Sequence, residues 1–240
     1  MAGEHELDTL DGYALWAASY DGERNGLIEA EEPRIAALAA RFGGVHSALD
    51  VATGTGRFAL RWARLGAEVV AVDQSPEMLA MAQQKAQAEG LAVTFVQQPL
   101  ETSLPFPAGR FDLVSCGLAL CHVADLAGSV CEMGRVLRPG GYLLITDFHP
   151  DAVGRGWRTV FAQGDEVYYL PNVAHTRQQY LDAVHVAGCE LIHVDDILLW
   201  DAPADSFPAG VDVARLLSED GDKTFGLILL GQKRAAASML

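Results

Sequence analysis

The sequence predicts an α/β fold, in which a doubly wound parallel sheet lies between two layers of helices. From residue 48 onward, short apolar runs that end in turn residues alternate with longer stretches in which apolar residues recur every three or four positions. This alternation is typical of parallel strands joined by crossover helices. Helical stretches are followed by Gly66, Gly90 and Gly188, and glycine commonly ends a helix.

The predicted elements follow one another with short connections. Strands are predicted at residues 48–52, 68–72, 93–97, 111–116, 142–148, 191–199 and 225–232, and helices at about 56–64, 76–89, 126–137 and 176–187. With 240 residues, of which 50% are hydrophobic, the chain is long enough to bury one sizeable core. We therefore expect a single globular unit.

Three stretches do not fit this alternation: residues 1–46, 149–175 and 201–222. In open α/β sheets, ligands bind beyond the carboxyl ends of the strands, so segments placed there cover the pocket. We expect residues 1–46 to form an N-terminal helical lid. Residues 47–240 would form the ligand-binding domain, with insertions at 149–175 and 201–222 that shape access to the pocket.

The charge balance is strongly acidic, with 17 Lys and Arg against 32 Asp and Glu and a formal net charge of −15. Such a field repels phosphate backbones and anionic lipid headgroups, so we expect neither nucleic acid nor a membrane as partner. The acidic opening MAGEHELDTLDG is not that of an export signal, and no uninterrupted apolar run reaches about 20 residues.

The cysteines do not form a recognisable framework. Cys116, Cys121, Cys131 and Cys189 show neither CxxC pairing nor the spacing of a zinc site or of a secreted disulfide scaffold. Reduced thiols fit this pattern best. Together with the missing export signal, they predict a cytoplasmic protein.

The stretch ALDVATGTGRFAL contains the main binding motif. Gly54 and Gly56 allow the backbone to approach a ligand between the first strand and its helix, although a structural turn has the same composition. Asp73 ends the second strand, where a carboxylate accepts both hydroxyls of a ribose. This pair of features is compatible with a nicotinamide cofactor and with an adenosyl cofactor.

Four segments in order decide between these cofactors: LDVATGTGRFAL, VVAVDQSPEML, LPFPAGRFDLVSC and MGRVLRPGGYLLITDF. Over about residues 10–200, the chain resembles class I S-adenosylmethionine-dependent methyltransferases that act on small molecules. The resemblance implies a Rossmann-like, three-layer α/β/α sandwich. Its seven-stranded sheet is mostly parallel, with the last strand inserted antiparallel between the fifth and sixth.

The resemblance also assigns the S-adenosylmethionine site. The loop from Ala52 to Gly56 would hold the methionyl end above Asp50, and Met78 would pack on the adenine unless it is plain core. The full set of implied cofactor residues is Tyr20, Asp50, Ala52, Thr53, Gly54, Gly56, Arg57, Asp73, Gln74, Met78, Leu100, Glu101 and Cys116.

Two of these positions depart from the family pattern. Ala52 stands where many relatives have a glycine. Leu100 stands where relatives often have an aspartate that accepts the adenine amino group. Either Glu101 takes over that contact or a backbone amide alone reads the base. A missing charge-assisted hydrogen bond is worth about 1.5–3 kcal/mol, so we expect somewhat weaker cofactor binding.

Upstream, WAASYD resembles an element that relatives fold over the cofactor. Tyr20 would cap the methionyl group, and Tyr13 and Trp16 would line the lid. The alternative is an amphipathic helix that packs its aromatic side chains on the sheet.

Methyl transfer to a phenol or an aromatic amine benefits from a general base, and histidine has a suitable pKa. His149 ends the fifth predicted strand and is the preferred candidate, with Asp147 as its rival or its orienting partner. His122 and His175 are further candidates, each with a structural alternative.

The first insertion supplies aromatic side chains that suit a flat, apolar substrate. The predicted substrate-binding residues are Tyr13, Trp16, His149, Trp157, Tyr168 and His175. Asp147, Asp151 and Asp165 could converge on a metal ion, but the resemblance implies a different arrangement in metal-dependent relatives, so no metal is predicted.

The sequence thus predicts methyl transfer from S-adenosylmethionine to an oxygen, nitrogen or carbon atom of a small aromatic or heterocyclic metabolite. The alternatives are a nicotinamide-dependent oxidoreductase and a protein that binds S-adenosylmethionine without turnover. The sequence leaves open whether the protein is a monomer or a homodimer.

Overall fold

The computed structural model describes residues 3–22, 24–207 and 212–235. In chain order, the helices and strands are β1 (Glu4–Glu6), α1 (Thr9–Trp16), α2 (Gly26–Ala39), β2 (Ser47–Val51), α3 (Arg57–Arg64), β3 (Glu68–Asp73), α4 (Pro76–Glu89), β4 (Val93–Gln97), β5 (Phe111–Gly117), α5 (Leu126–Val136), β6 (Leu137–Phe148), α6 (Pro150–Gly154), β7 (Thr159–Gln163), β8 (Glu166–Leu170), α7 (Arg177–Val186), β9 (Cys189–Leu198), α8 (Val213–Asp220) and β10 (Thr224–Lys233). Within the described ranges, no helix combines the length and the apolar character that a membrane crossing requires.

Seven strands form the main sheet, in the order β4-β3-β2-β5-β6-β10-β9. Neighbouring strands from β4 to β6 are parallel, whereas β10 is antiparallel to both β6 and β9. The predicted fold class is confirmed, including the antiparallel strand between the fifth and sixth. Strand order reverses between β2 and β5, and such a switch point is where open sheets bind ligands.

The two faces of the sheet are buried under separate helix layers. Along β2, Leu49 and Val51 face one apolar cluster and Ala48 faces the other, as the alternation of a strand requires. The first cluster includes side chains of α5 and α7, and the second includes side chains of α2 and α3. This arrangement is the predicted three-layer sandwich.

The stretch 1–46, predicted to be one helical lid, divides into two parts. Leu27, Ile35 and Leu38 of α2 are buried in the second cluster together with Phe58, so α2 belongs to the helix layer of the sandwich. The lid prediction is wrong for this helix, because its apolar face packs on the sheet.

The beginning of the chain forms a small unit with the first insertion. β1 pairs in parallel with β8, and β8 forms an antiparallel hairpin with β7. Trp16 of α1 stacks on Phe161, with ring centroids 4.7 Å apart, and both side chains are buried with Leu170. We refer to β1, α1, β7 and β8 as the lid module.

The second insertion lies elsewhere. Ser206 packs beside Gly26 of α2, and the Trp200 indole donates a hydrogen bond to the Leu217 carbonyl. No described residue of 201–222 lines the cavity presented below, and residues 208–211 lie outside the described ranges. For the residues that can be placed, the expectation that this insertion shapes the pocket is not met.

Candidate functional site

A cavity of about 350 Å³ lies at the carboxyl ends of β2, β3 and β5, against α1. Of the thirteen predicted cofactor residues, eleven line it, and Gly56 and Cys116 do not. The complete lining comprises Asp8, Thr9, Leu10, Tyr13, Tyr20, Asp50, Ala52, Thr53, Gly54, Thr55, Arg57, Phe58, Asp73, Gln74, Ser75, Met78, Gln98, Pro99, Leu100, Glu101, Gly117, Leu118, Ala119, His122 and Val123.

The glycine loop has the left-handed turns that its sequence predicts. Ala52, Gly54 and Gly56 have φ values of 53°, 54° and 90°. A Cβ on Gly54 would meet no protein atom within 4 Å, which leaves room for a ligand, whereas a Cβ on Gly56 would lie 3.1 Å from Ala82 Cβ. Gly56 therefore allows α3 and α4 to approach each other. Ala52 bears a strain that a glycine would not have.

Asp50 fixes the glycine loop through hydrogen bonds. Its Oδ2 accepts hydrogen bonds from the Thr53 hydroxyl at 2.6 Å and from the Ala59 amide at 3.0 Å, and its Oδ1 accepts one from the Ser115 hydroxyl at 2.7 Å. Burial raises the pKa of Asp50 to about 6 even though these hydrogen bonds act to lower it. The carboxylate thus fixes the loop without depending on a ligand.

Asp73 ties the end of β3 to the same loop. Its Oδ2 accepts from the Gly54 amide at 2.7 Å and its Oδ1 from the Ser75 amide at 2.9 Å. A carboxylate offers about four acceptor positions, so these two contacts leave capacity for two hydroxyl donors. Burial raises the pKa of Asp73, and the backbone amides oppose that shift.

Leu100, which departs from the family pattern, and Glu101, the candidate to replace the missing contact, lie side by side in the cavity wall. Leu100 and Glu101 both line it, and Glu101 Oε1 accepts a hydrogen bond from the Ala124 amide at 2.8 Å. Met78, 2% exposed, lines the wall from the first turn of α4. The loop around Leu100 is thus fastened to the segment that follows β5.

Residues 49–145 match a family described as a methyltransferase domain. This match covers the glycine loop, Asp73 and the walls of the cavity up to β6. Residues 49–145 therefore contain a methyltransferase domain of the class I S-adenosylmethionine-dependent type. This match implies S-adenosylmethionine as the methyl donor.

Curated relatives carry methyltransferase names. The chain is 44% identical over 108 residues to a demethylmenaquinone methyltransferase of Thermus thermophilus, which is 44% of this chain and 49% of the relative. It therefore spans about half the length of that relative. A ubiquinone biosynthesis O-methyltransferase of Cronobacter sakazakii is 28% identical over 171 residues, 70% of each protein.

Solved structures show the same fold. The structure of the [4+2]-cyclase SpnF aligns with a TM-score of 0.68 and 20% identity, over 98% of this chain and 100% of that one. At this identity the likeness concerns the fold alone.

At the lid end of the cavity, His122 is held between two partners. Its Nδ1 lies 2.7 Å from the Pro171 carbonyl and its Nε2 lies 3.0 Å from the Tyr13 hydroxyl. A carbonyl only accepts, so Nδ1 bears the proton and Nε2 accepts from Tyr13. Burial lowers the pKa of His122, which keeps the ring neutral, and burial raises the pKa of Tyr13.

The preferred base, His149, is outside the cavity. It is fully buried and is the N-cap of α6, where Nδ1 accepts from the Asp151 amide at 3.1 Å and Nε2 lies 3.3 Å from Asp196 Oδ1. Burial lowers its pKa. The prediction that His149 faces the substrate is contradicted, because the end of β6 turns this side chain into a helix cap.

Asp147 is also fully buried and does not line the cavity. Its Oδ2 accepts from the Cys121 amide at 2.8 Å and from the Tyr180 hydroxyl at 2.7 Å. Burial raises its pKa, and the hydrogen bonds from the Tyr180 hydroxyl and the Phe148 amide act against that shift. Asp147 thus positions the 3₁₀ turn that bears His122 rather than contacting a substrate.

The other predicted substrate residues support the lid or the core. Trp157 packs against Phe148 and Phe225, and Tyr168 stacks on Phe161. His175 Nε2 lies 2.7 Å from the Val123 carbonyl, and Trp16 belongs to the buried lid cluster. Cys116 is fully buried in the core. These side chains pack between segments of the chain that are distant in sequence, and the sequence alone did not reveal these partners.

Within the described residues, no group of three His, Cys, Asp or Glu side chains is arranged to hold a metal ion. Asp147, Asp151 and Asp165 belong to three different segments. Asp147 is engaged with Tyr180, Asp151 is at the start of α6, and Asp165 lies in the turn between β7 and β8.

Asp21 was missed by the sequence reasoning. Its Oδ1 accepts a hydrogen bond from the Thr55 hydroxyl at 2.8 Å and its Oδ2 lies 2.8 Å from Lys85 Nζ. It therefore fastens the segment after α1 to the glycine loop and to α4. The only sequence signal for this role of Asp21 was its position directly after Tyr20, because Thr55 and Lys85 are distant in sequence.

Proposed function

We propose that this protein transfers a methyl group from S-adenosylmethionine to a small aromatic metabolite that has an ionisable hydroxyl, of the quinol or catechol type. The observation that carries the proposal is one cavity with two different ends. Asp73 and the glycine loop lie at one end, and the neutral acceptor nitrogen of His122 lies at the other.

The donor would occupy the end formed by the loop and β3. Asp73 would accept the two ribose hydroxyls with its remaining capacity, while Gly54 would let the methionyl chain pass close to the backbone. Met78 and the Leu100 loop would enclose the adenine. When bound, this group supplies an activated methyl on a sulfonium, and the protein has mainly to orient the acceptor and exclude water.

The acceptor would occupy the lid end. Leu10, Leu118, Ala119 and Val123 give this part of the wall an apolar character, and Tyr13 and Tyr20 add aromatic surface. A flat, apolar ring fits such a wall, and the Tyr13–His122 pair is the polar feature that would orient its hydroxyl. The names of the two relatives, both methyltransferases of quinone chemistry, favour this class of acceptor.

His122 would take the proton of the acceptor hydroxyl at Nε2, in place of the hydrogen bond from Tyr13. The Pro171 carbonyl holds the Nδ1 proton and thereby keeps Nε2 available. Loss of that proton makes the oxygen and the ortho carbon of a phenol more nucleophilic, so one base serves O-methylation and the first step of C-methylation. After C-methylation the methylated ring carbon would release its own proton to water, which restores the aromatic ring. The new bond to the methyl carbon forms as the carbon–sulfur bond breaks, and S-adenosylhomocysteine leaves as a neutral thioether.

The test is a methyl-transfer assay on the purified chain. S-adenosylmethionine with a labelled methyl is incubated with a panel of hydroquinones, catechols and aromatic amines, and products are identified by mass spectrometry. Matched acceptors with the hydroxyl already methylated serve as controls. We expect transfer to hydroxylated rings and none to the blocked controls.

Binding of S-adenosylhomocysteine, measured by calorimetry, distinguishes the two ways in which the proposal fails. Binding without transfer to any acceptor would favour a protein that binds S-adenosylmethionine without turnover. Transfer that is equally fast to blocked and free hydroxyls would contradict the role of His122. Absence of any binding would contradict the donor site.

A further inference from the structure

Arg57 is the only arginine or lysine among the described residues that line the cavity. It begins α3, directly after the glycine loop. The same wall contains the acidic side chains of Asp8, Asp73 and Glu101, in a chain whose formal net charge is −15. A single cation in an acidic cavity provides a specific place for a ligand carboxylate.

The Arg57 guanidinium is fixed on several sides. Nη2 lies 2.6 Å from Glu31 Oε1 and Nη1 lies 3.2 Å from Glu32 Oε1, while the guanidinium carbon lies 4.3 Å from the centre of the Phe58 ring. A Cβ on Gly117 would lie 3.0 Å from Arg57 Nη2 and 2.6 Å from Phe58 Cε2. The absence of a side chain at Gly117 therefore makes room for this arrangement.

Glu31 is unusual because it is a fully buried carboxylate on the sheet-facing side of α2. Burial raises its pKa, and the Arg57 guanidinium is the main group that opposes this shift. A buried ion pair is weak evidence for stability, since removing two charges from water costs several kcal/mol. An orienting role gives a reason to keep this pair beside the cavity.

The neighbouring residue Glu32 differs in burial and in partners. Its side chain is 34% exposed and lies between Arg57 and Arg61, with which it forms an ion pair through Oε2. Glu32 thus shares its charge between two arginines, one of which is outside the cavity wall. Glu31 is the carboxylate whose charge is directed at Arg57 and shielded from water.

We propose that Glu31 is a positioning residue, which holds the Arg57 guanidinium so that its remaining N–H groups bind the carboxylate of the methionyl end of the donor. The inference rests on the proposed function in so far as the ligand is S-adenosylmethionine. A guanidinium has five N–H donors, and the contacts with Glu31 and Glu32 leave several of them for a ligand. Glu31 itself does not touch the donor.

The test compares two ligands that differ in this carboxylate. S-adenosylhomocysteine has it, and S-adenosyl-3-thiopropylamine lacks it but keeps the amine. The selectivity is the ratio of the two dissociation constants, measured by calorimetry for the wild type and for Glu31→Gln. We expect Glu31→Gln to lower the selectivity about tenfold, as loss of a well-placed charge-assisted bond does, with the affinity for the amine analogue unchanged within about twofold.

Two further variants make the test specific. Glu29→Gln is the matched control, because Glu29 lies on the same helix and pairs with Arg24 away from the cavity. The selectivity of this variant should equal that of the wild type. Arg57→Met should lose the selectivity, and adding Glu31→Gln to it should cause no further loss, since coupled residues are not additive.

An unchanged selectivity in Glu31→Gln, or an equal loss of affinity for both ligands, would overturn the proposal. If Glu31→Gln does not fold, Gly117→Ala disturbs Arg57 from the other side and leaves Glu31 in place. A lowered selectivity in Gly117→Ala supports the claim that the position of Arg57 determines carboxylate binding. An unchanged selectivity in this variant overturns that claim. Failure of the wild type to bind S-adenosylhomocysteine would instead contradict the proposed function.

Discussion

The two ends of the cavity are built in different ways. At the donor end, Asp50, Gly54 and Asp73 all lie within residues 50–73, and hydrogen bonds within this stretch fix them together with one bond from Ser115. At the acceptor end, Tyr13, His122 and Pro171 come from three distant segments that meet only in the folded protein. None of these donor-end hydrogen bonds involves the lid module, whereas both contacts of His122 depend on the lid module or on Pro171, which directly follows it.

The largest expected effect concerns the acceptor end. His122→Asn removes the proposed proton acceptor, and loss of a general base typically lowers kcat about 10²- to 10⁴-fold. The donor end should be unaffected, so the dissociation constant for S-adenosylhomocysteine should stay within about twofold of the wild type. Steady-state kinetics tests the acceptor end, and calorimetry tests the donor end. Equal losses of kcat and of affinity for S-adenosylhomocysteine would contradict the proposed difference between the two ends.

The pH dependence of this end follows from the lowered pKa of His122. Because burial shifts that pKa below its ordinary value, the base is unprotonated at neutral pH and becomes protonated only under more acidic conditions. We expect kcat/KM to fall on acidification through a pKa below 6.5. This fall in kcat/KM should be absent in His122→Asn. If it persists in that variant, a group other than His122 causes it.

A second prediction concerns the stability of the donor end. The pKa of Asp50 is raised from 3.8 to about 6, so the folded state binds this proton more tightly than the unfolded chain does. Its contribution to stability is complete below about pH 4 and is lost as the pH rises through 6. The stability of the wild type relative to Asp50→Asn should fall by about 2 kcal/mol from pH 4 to pH 7.

Asp112 provides the matched control for this measurement. Its pKa is lowered to about 2, so it is ionised over the whole interval, and the stability of the wild type relative to Asp112→Asn should stay nearly constant there. Urea unfolding at several pH values checks both variants. A flat difference for Asp50→Asn would show that its carboxylate is not strained by burial.

The third prediction tests donor contacts directly. Asp73→Asn replaces an acceptor oxygen by a donor and should weaken S-adenosylhomocysteine binding about 10- to 100-fold, the range of one charge-assisted hydrogen bond. An analogue without the ribose 2′-hydroxyl should be affected less. An equal loss for both ligands would show that Asp73 acts only through the Gly54 amide.

A smaller effect is expected where the two ends are joined. Asp21→Asn weakens the contacts with Thr55 and Lys85, and a half-exposed ion pair contributes at most about 1 kcal/mol. Release of S-adenosylhomocysteine should accelerate about two- to fivefold, with stopped-flow fluorescence as the readout. Arg64→Gln, which breaks a surface pair with Glu89, should leave the rate unchanged.

The smallest effect concerns Ala52. Its φ of 53° costs an alanine about 1 kcal/mol, so Ala52→Gly should keep stability or raise it by up to about that amount. Ala63→Gly in α3 should instead lower it by about 1 kcal/mol. Urea unfolding measures both, and an equal loss for the two variants would contradict strain at Ala52.

Much of the fold and of the donor end was predictable, because the signals were local. Apolar alternation marked the strands, and the spacing from Gly54 to Asp73 placed both at neighbouring strand ends. His149 shows where this approach fails. Its position at the end of a strand was right for a base, but the side chain caps α6 and pairs with Asp196, which is distant in sequence.

The amino-acid sequence by itself determined the α/β architecture, the glycine turn and the carboxylate that ends β3, since these depend on backbone conformation and on periodicity within short segments. Only the tertiary structure decided that α2 belongs to the core, that His122 rather than His149 faces the cavity, and that Glu31 supports Arg57. These outcomes depend on which distant segments share buried surface, and such pairings leave no periodic signal in the chain.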